Sequence, residues 1–450
     1  MTAQDRRTDL DWLRIAAFGL LIFYHVGMFY VTWDFHVKSS RASDAIEPLM
    51  LVTNPWRLLL LFIISGAATR FMADKMKAGQ LAGSRMGRLL PPLLLAVFVI
   101  VPPQSYYELV EALAHLGLPQ SPTLDNFYLK YVTASGHWCD ASGCLTTPTY
   151  NHMWFVAYLA LYTLLLIALL PLLRRAPKWL GKLIEGPGLF LTPWIFLTIT
   201  RITLFPIFDE THDFRNDWYL HLVDFSGFLF GFAIAKHDAF FRACMKWRFV
   251  ALGLAIAAYA ALLSFYIAYD TADPTDLLRN IFRGVRELQA WAFIVAAFGF
   301  AYRHWRGADG PVRRYLTEAI FPFYIVHQTA IIIAGHYLDP ARTSRVARSQ
   351  PHHRRHGGDL LGELTNSPSA CPWLRPWFGL RSRPRLEDGK NPRLAAGGDR
   401  LSLGRTDPTV PPIGAEHVSG LPDRRRRYRG PDHSGRFHHP ARAGHRLGAP

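Results

Sequence analysis

The sequence predicts an all-α, polytopic bundle of transmembrane helices followed by a disordered basic tail. Three observations predict it. Half of the 450 residues are hydrophobic and 14% are aromatic, a composition suited to spans with aromatic belts at both interfaces. Several apolar stretches reach the roughly 20 residues needed to cross a bilayer. The basic residues of the membrane part gather in alternate loops, as the positive-inside bias requires.

The first span is Asp11–Val31. It is too long for a signal-peptide core, and no small-residue cleavage site follows it. The second runs from about Leu49 to Phe71. The third runs from Leu89 to Val101, or to Val110 across Pro102 and Pro103. A polar region, Gln104–Asn151, comes next. The remaining spans are about His152–Leu173, Leu189–Phe208, Trp218–Ala235, Trp247–Tyr269, Asn280–Tyr302 and Ala319–Leu338. That makes about nine.

The loops fix an orientation with the N-terminus in the cytoplasm. The cytoplasmic loops then hold Arg70, Lys75, Lys77, Arg85 and Arg88, next Arg174, Arg175, Lys178 and Lys182. Further on come Lys236, Arg242, Lys246 and Arg248, and finally Arg303, Arg306, Arg313 and Arg314. The opposite loops are acidic, with Asp209, Glu210 and Asp213, then Asp270, Asp273 and Asp276. The expected location is a bacterial inner membrane.

Residues 1–340 form the membrane domain. Residues 341–450 carry twenty arginines and one lysine against nine acids, a net +12 of the chain's +16. The high isoelectric point therefore describes the tail and implies no nucleic-acid partner. A segment of Arg, His, Pro and Gly cannot bury a core and is expected to be disordered. Two readings stand: a basic tail for anionic polymers, or out-of-frame translation beginning near Ala341. The second is preferred.

Arg14 and His25 interrupt the first span. Eleven residues at 100° each return to within about 20° of the starting direction, so both leave one helix face. The rise places His25 roughly 16 Å beyond Arg14, near mid-depth. Ionisable groups at such depth face a bundle interior or a water-filled cavity. Arg57, Asp224, Glu287 and His327 fall in the outer half and Arg201 near mid-depth. They either line an acceptor cavity or pair to hold helices together. Ser65-Gly66 allows two helices to approach closely, or supplies a catalytic serine. Arg85 and Arg88 are either ordinary positive-inside charge or an anion site.

Cys139 and Cys144 lie in an outer loop. A disulfide, free thiols, or a zinc site with His137 and His152 are all open. The spacing matches no strong metal pattern, so no metal is expected. Cys244 is expected to be cytoplasmic and reduced. The sequence has neither a phosphate-cradling Gly-rich loop nor a nucleic-acid module.

Asp11-Trp12-Leu13-Arg14, ten further residues and His25 resemble the signature of the membrane acyltransferase-3 family. Ser65-Gly66, Arg85-Met86-Gly87-Arg88 before Leu89-Leu90-Pro91, Met153-Trp154-Phe155 and Tyr324-Ile325-Val326-His327 resemble further motifs of that family, in the same order. The opening stretch is most similar to the glucan biosynthesis protein C branch. The likeness covers roughly residues 8–340. The resemblance implies a final, tenth span, which is lost here.

The resemblance also implies transfer of an acyl group from cytoplasmic acyl-CoA to a hydroxyl of an extracytoplasmic carbohydrate. For the glucan branch it implies succinylation of periplasmic glucans; succinyl and acetyl donors stay open. No bound cofactor is expected. His25 is the expected base, since a neutral imidazole can take the hydroxyl proton, with an acyl-histidine as a variant. Arg14, Arg85 and Arg88 are expected to hold the anionic CoA end. The rival classes are a transporter using Arg14, His25, Arg201 and Asp224 as its path, and a non-enzymatic part of a glucan export system. Against the transporter, no inverted repeat is evident.

Overall fold

The computed structural model describes residues 7–140, 143–173, 185–269 and 272–339. The tail, the basic cluster Arg174 to Lys182 and Asp270 lie outside the described residues. Among the described residues the chain is helical apart from a two-residue antiparallel ladder, β1 (Cys139–Asp140) with β2 (Gly143–Cys144).

The order begins with α1 (Thr8–Tyr30), the short α2 (Glu47–Thr53), α3 (Arg57–Ala73), α4 (Ala78–Leu95), α5 (Pro102–Leu116) and the short α6 (Phe127–Val132). It continues with α7 (Trp154–Leu173), α8 (Gly188–Thr203), α9 (Trp218–Ile234), α10 (Asp238–Ala268), α11 (Asp276–His304) and α12 (Pro311–Leu338).

Six helical segments are long and apolar enough to cross a membrane, by length and composition: Thr8–Tyr30, Asp44–Ala73, Ala78–Leu116, Asn151–Leu173, Asp238–Ala268 and Pro311–Leu338. The expected count of about nine is therefore not reached by this measure, although all nine expected segments contain helix. Gly188–Thr203 and Trp218–Ile234 are apolar but short, at 16 and 17 residues. Asp276–His304 is long, but its first half carries Arg279, Arg283, Arg286 and Glu287. The protein is a multi-pass membrane protein.

Three helix pairs organise the packing: α10 along α11, α3 along α9, and α1 along α12. The α3–α9 crossing is set by glycine. A Cβ on Gly66 would lie 1.9 Å from the Phe228 carbonyl oxygen, and one on Gly231 1.8 Å from that of Ile63. Backbone meets backbone there, which any side chain would prevent. Gly66 thus has a packing reason to follow Ser65.

The third span is broken at Val101. Ala96–Ile100 is a π-helical turn, with the Val101 amide bonded to the Ala96 carbonyl at 2.8 Å. Pro102 and Pro103 then open α5, where the missing amides cost nothing to the new helix. The break leaves carbonyls of the old helix without their helical donors, and side chains supply them. Tyr131 bonds Val97 at 3.0 Å, Tyr128 bonds Phe98 at 2.9 Å, and Thr329 of α12 bonds Ile100 at 2.6 Å. In an apolar medium each unsatisfied group would cost several kcal/mol, so these donors let the break exist.

Gly66→Ala or Gly231→Ala should destabilise the protein by about 1–3 kcal/mol or more through overpacking. Gly19→Ala, where the added methyl meets nothing within 4 Å, should stay within about 0.5 kcal/mol of the parent. Melting of the purified variants in detergent checks this. A Gly66→Ala protein that melts with the parent would refute the close crossing.

Candidate functional site

His25 meets His327 of α12. His327 Nε2 lies 3.1 Å from His25 Nδ1, and the ring centroids are 5.0 Å apart. The proton positions follow from the partners. His327 Nδ1 sits 2.6 Å from the Tyr324 carbonyl, which can only accept, so Nδ1 carries the proton and Nε2 a lone pair. His25 Nδ1 lies 3.0 Å from the Leu21 carbonyl, so it carries a proton as well, shared between Leu21 and His327. The lone pair of His25 is then on Nε2, which has no hydrogen-bond partner among the described residues. A neutral imidazole oriented by a second ring behind it is a competent general base.

The second ring is itself anchored. His327 is buried and packs edge-on against His152, centroids 5.2 Å apart. His152 donates from Nε2 to the Ile325 carbonyl at 3.0 Å and accepts at Nδ1 from Gln104 at 3.2 Å. Gln104, fully buried, donates to Thr329 at 2.7 Å and accepts from Asn151 at 3.1 Å and Gln328 at 3.2 Å. Tyr324 donates its hydroxyl to the His152 carbonyl. This network joins the broken third span, the start of α7 and the middle of α12. His152 therefore faces the core and not the cysteine loop, against the reading that grouped it with Cys139 and Cys144.

Those two cysteines form a disulfide across the β-ladder. Cys244 is a free, buried thiol. No group of three metal-ligating side chains occurs among the described residues.

At the other end of α1, Arg14 donates from Nη2 to the Thr317 carbonyl at 3.3 Å. Arg85 lies within electrostatic range of both Arg14 and Arg88, and its Nε and Nη2 are buried without hydrogen-bond partners. Three guanidiniums therefore converge. Around them the fold is tied to α12: Arg313, 1% exposed, bonds Asp11 at 2.6 Å and Asp309 at 2.8 Å. Trp12 Nε1 donates to the Ala308 carbonyl at 3.0 Å. Asp11 and Trp12 of the opening motif thus hold two helices together.

A third group lies on the far side of α1 from these. Arg57 stacks on Tyr24, its guanidinium carbon 3.3 Å from the ring centroid, and is electrostatically coupled to His25. Arg201 donates to the Tyr219 hydroxyl at 2.8 Å and faces Glu210 at 3.3 Å and Glu287 at 3.5 Å. Arg286 bonds Glu287 at 2.8 Å and reaches Glu210 at 4.0 Å. Glu210 lies in the loop between α8 and α9. Crowding alone would raise its pKa, but the Arg286 and Arg201 guanidiniums hold it below the ordinary value. Its pairing is therefore complete at neutral pH and weakens only as the pH falls through that lowered value.

Arg201, Arg286, Glu210 and Glu287 thus form one ionic group that includes the Tyr219 hydroxyl, and Arg57 lies within electrostatic range of Glu210 and Arg286. Glu210 was legible only as an outer-loop acid, and Arg286 stood inside a stretch read as a span. Asp224 is buried within electrostatic range of Glu210, with Oδ2 unpartnered and no cation within 4 Å among the described residues. Ser65 contributes its carbonyl to the Thr69 hydroxyl, 2.8 Å away.

A family model described as an acyltransferase domain matches residues 7–354. Among curated proteins, the chain is 22% identical over 356 residues to a glucans biosynthesis protein C of Shigella boydii serotype 4 (strain Sb227). It is equally similar to the protein of that name from Escherichia coli (strain K12), and each alignment covers 75% of this chain and 86% of the relative. No solved structure matches.

Arg313→Ala should cost about 3–5 kcal/mol, because it leaves Asp11 and Asp309 facing an emptied buried site. Removing charge from both sides, with Asp11→Asn and Arg313→Gln, should recover part of that loss. Thermal melts of the single and double variants measure it. An additive double variant would rule out the coupling.

Proposed function

Because the chain belongs to the acyltransferase-3 family, whose model spans residues 7–354, we propose that it moves a succinyl or acetyl group from cytoplasmic acyl-CoA to a hydroxyl of a periplasmic glucan. The observation that carries this reading is the His25–His327 pair at mid-helix, about 16 Å along α1 from the converging arginines. The named relatives, proteins of glucan biosynthesis, support a glucan acceptor.

The donor end is assigned to Arg14, Arg85 and Arg88. Phosphates suit such a cluster, since guanidiniums form charge-assisted bonds with them. The thioester then lies at His25. The acceptor hydroxyl oxygen attacks the acyl carbonyl carbon while His25 Nε2 takes its proton. The carbon–sulfur bond breaks, the thiolate leaves, and the proton passes from His25 to the thiolate. The products are an ester and free CoA. His327 keeps the His25 proton on Nδ1 and its lone pair on Nε2. The ionic group of Arg201 and Glu287 lines the approach of the acceptor.

In this reading the three short or polar helices, α8, α9 and α11, also cross the bilayer. That gives nine spans in an inner membrane, with the N-terminus in the cytoplasm. The mutual pairing of Arg201, Arg286, Glu210 and Glu287, with Arg201 and Glu287 buried, supports it, because such groups inside a bundle neutralise one another.

Expression in a bacterium lacking its own glucan acyltransferase, with mass spectrometry of the periplasmic glucans, tests the reaction. His25→Ala should lower the acyl increment by a factor of about 10²–10⁴, the usual worth of a positioned base. An increment that persists in His25→Ala would overturn the assignment. An acylated His25 peptide would make the residue the nucleophile and not the base. Arg85→Gln should raise the KM for acyl-CoA by about tenfold through loss of a charge-assisted contact, with kcat held.

A further inference from the structure

The outer ionic group is not neutral. Arg57, Arg201 and Arg286 supply three positive charges, and Glu210 and Glu287 two negative ones. Arg201 and Arg286 both reach the two carboxylates. Arg57 does not: among the described residues no carboxylate lies within 4 Å of it. Its Nη1 is held by the Asn54 carbonyl at 3.2 Å and the Asn54 Oδ1 at 2.9 Å. Its Nε is buried without a hydrogen-bond partner, and the side chain as a whole is 6% exposed. Glu210 acts on it only from beyond ion-pair distance. A buried guanidinium without a close counter-ion is costly, and a reacting anion would relieve that cost.

The position of this cation narrows the anion. Arg57 lies on the face of Tyr24, the residue before His25, and is electrostatically coupled to the His25 ring. A group bound to Arg57 therefore lies in the neighbourhood of an acyl carbonyl set at His25. Stacking on Tyr24 and the Asn54 bonds fix the guanidinium plane, which suits a bidentate carboxylate.

Building on the acyl-transfer reading above, we propose that Arg57 is a specificity-determining residue that binds the terminal carboxylate of the transferred acyl group. A dicarboxylic acyl group pairs with it; an acetyl group leaves it alone in the low-dielectric site. The discrimination arises because the wrong donor strands a buried polar group. The transfer step is unchanged: the acyl carbon exchanges sulfur for the acceptor oxygen, and the distal carboxylate keeps its charge throughout.

The test is a competition. The purified full chain in lipid nanodiscs receives equal amounts of succinyl-CoA and acetyl-CoA with a glucan acceptor, and mass spectrometry gives the ratio of the two products. The parent should favour the succinyl product. Arg57→Gln should lower that ratio by at least about 30-fold, as expected for removing one partner of a buried charge pair, and Arg57→Lys should fall between. Equal losses on both donors would overturn the proposal, placing Arg57 at the reaction's oxyanion or on an anionic acceptor. Parity in the parent would overturn it too, while leaving His25-dependent acyl transfer intact. Transfer of neither group would defeat the acyl-transfer reading and this inference with it. Should Arg57→Gln fail to fold, the parent alone decides. Monomethyl succinate should raise its melting temperature and methyl acetate should not; the same response to both would overturn the proposal.

Discussion

The contact of α1 with α12 is the constraint on which the rest depends. It is fastened at two levels. Asp11 and Arg313 meet at 2.6 Å near one end, and His25 and His327 meet at 3.1 Å near the middle. Neither pair could sit unpartnered in a bilayer, since an intramembrane charge or polar ring costs several kcal/mol without its partner. Helices 300 residues apart in sequence are thereby held in one register, and the register aims the free nitrogen of His25. The Asp11–Arg313 pair is structural. It nevertheless bears on the geometry of His25, fourteen positions further along the same helix.

The break at Val101 plays the complementary part. A continuous helix would bury Gln104 against its own turn. Opening α5 at Pro102 turns Gln104 into the middle of four hydrogen bonds, which carry His152 and, through it, the packing of His327. Three of the carbonyls at the break, those of Val97, Phe98 and Ile100, are met by side chains from elsewhere. Irregular backbone at membrane depth is tolerated only where the protein resatisfies it, and π-turns concentrate at functional sites for that reason. The disulfide of Cys139 and Cys144 lies in the same outer region as Tyr128 and Tyr131, the donors that cap the break.

Much of the helical plan was legible because period and length act locally. The stretches around Asp11, Leu49, Leu89, His152, Trp247 and Ala319 correspond to the six helices that can span. The Pro102-Pro103 interruption was legible too, but its consequence was not. What a broken helix does with its carbonyls depends on Tyr128, Tyr131 and Thr329, and no spacing rule connects them. His25 and His327 were each visible as polar residues in apolar runs. Their contact was invisible, because it joins the first helix to the last. His152 was misplaced for a physical reason: at the edge of a span, a histidine reads equally as loop or core. Glu210 and Arg286 were obscured by their surroundings, one in an acidic loop and the other in a presumed span.

The two cationic regions differ in a way that bears on the donor. Around Arg14, Arg85 and Arg88 the guanidiniums converge and Arg85 keeps two buried, unpartnered nitrogens, whereas around Arg201 and Arg286 the carboxylates of Glu210 and Glu287 restore most of the balance. Buried guanidinium nitrogens without hydrogen-bond partners suit an anion; a nearly balanced cluster orients neutral polar groups and has room for a single extra charge. Arg14 of the first cluster lies eleven residues before His25 on α1. A donor anchored by phosphates at the first must therefore carry its reactive carbon on an arm of about 16 Å to reach the base, by the rise of α1 alone. Small acyl phosphates fail that requirement, because their phosphate and acyl carbon are neighbours. A long-armed, phosphate-bearing thioester meets it. Under the proposed acyl-transfer reading, the distance between charge and base favours such a donor, and the identity of the acyl group is left to the few residues around His25.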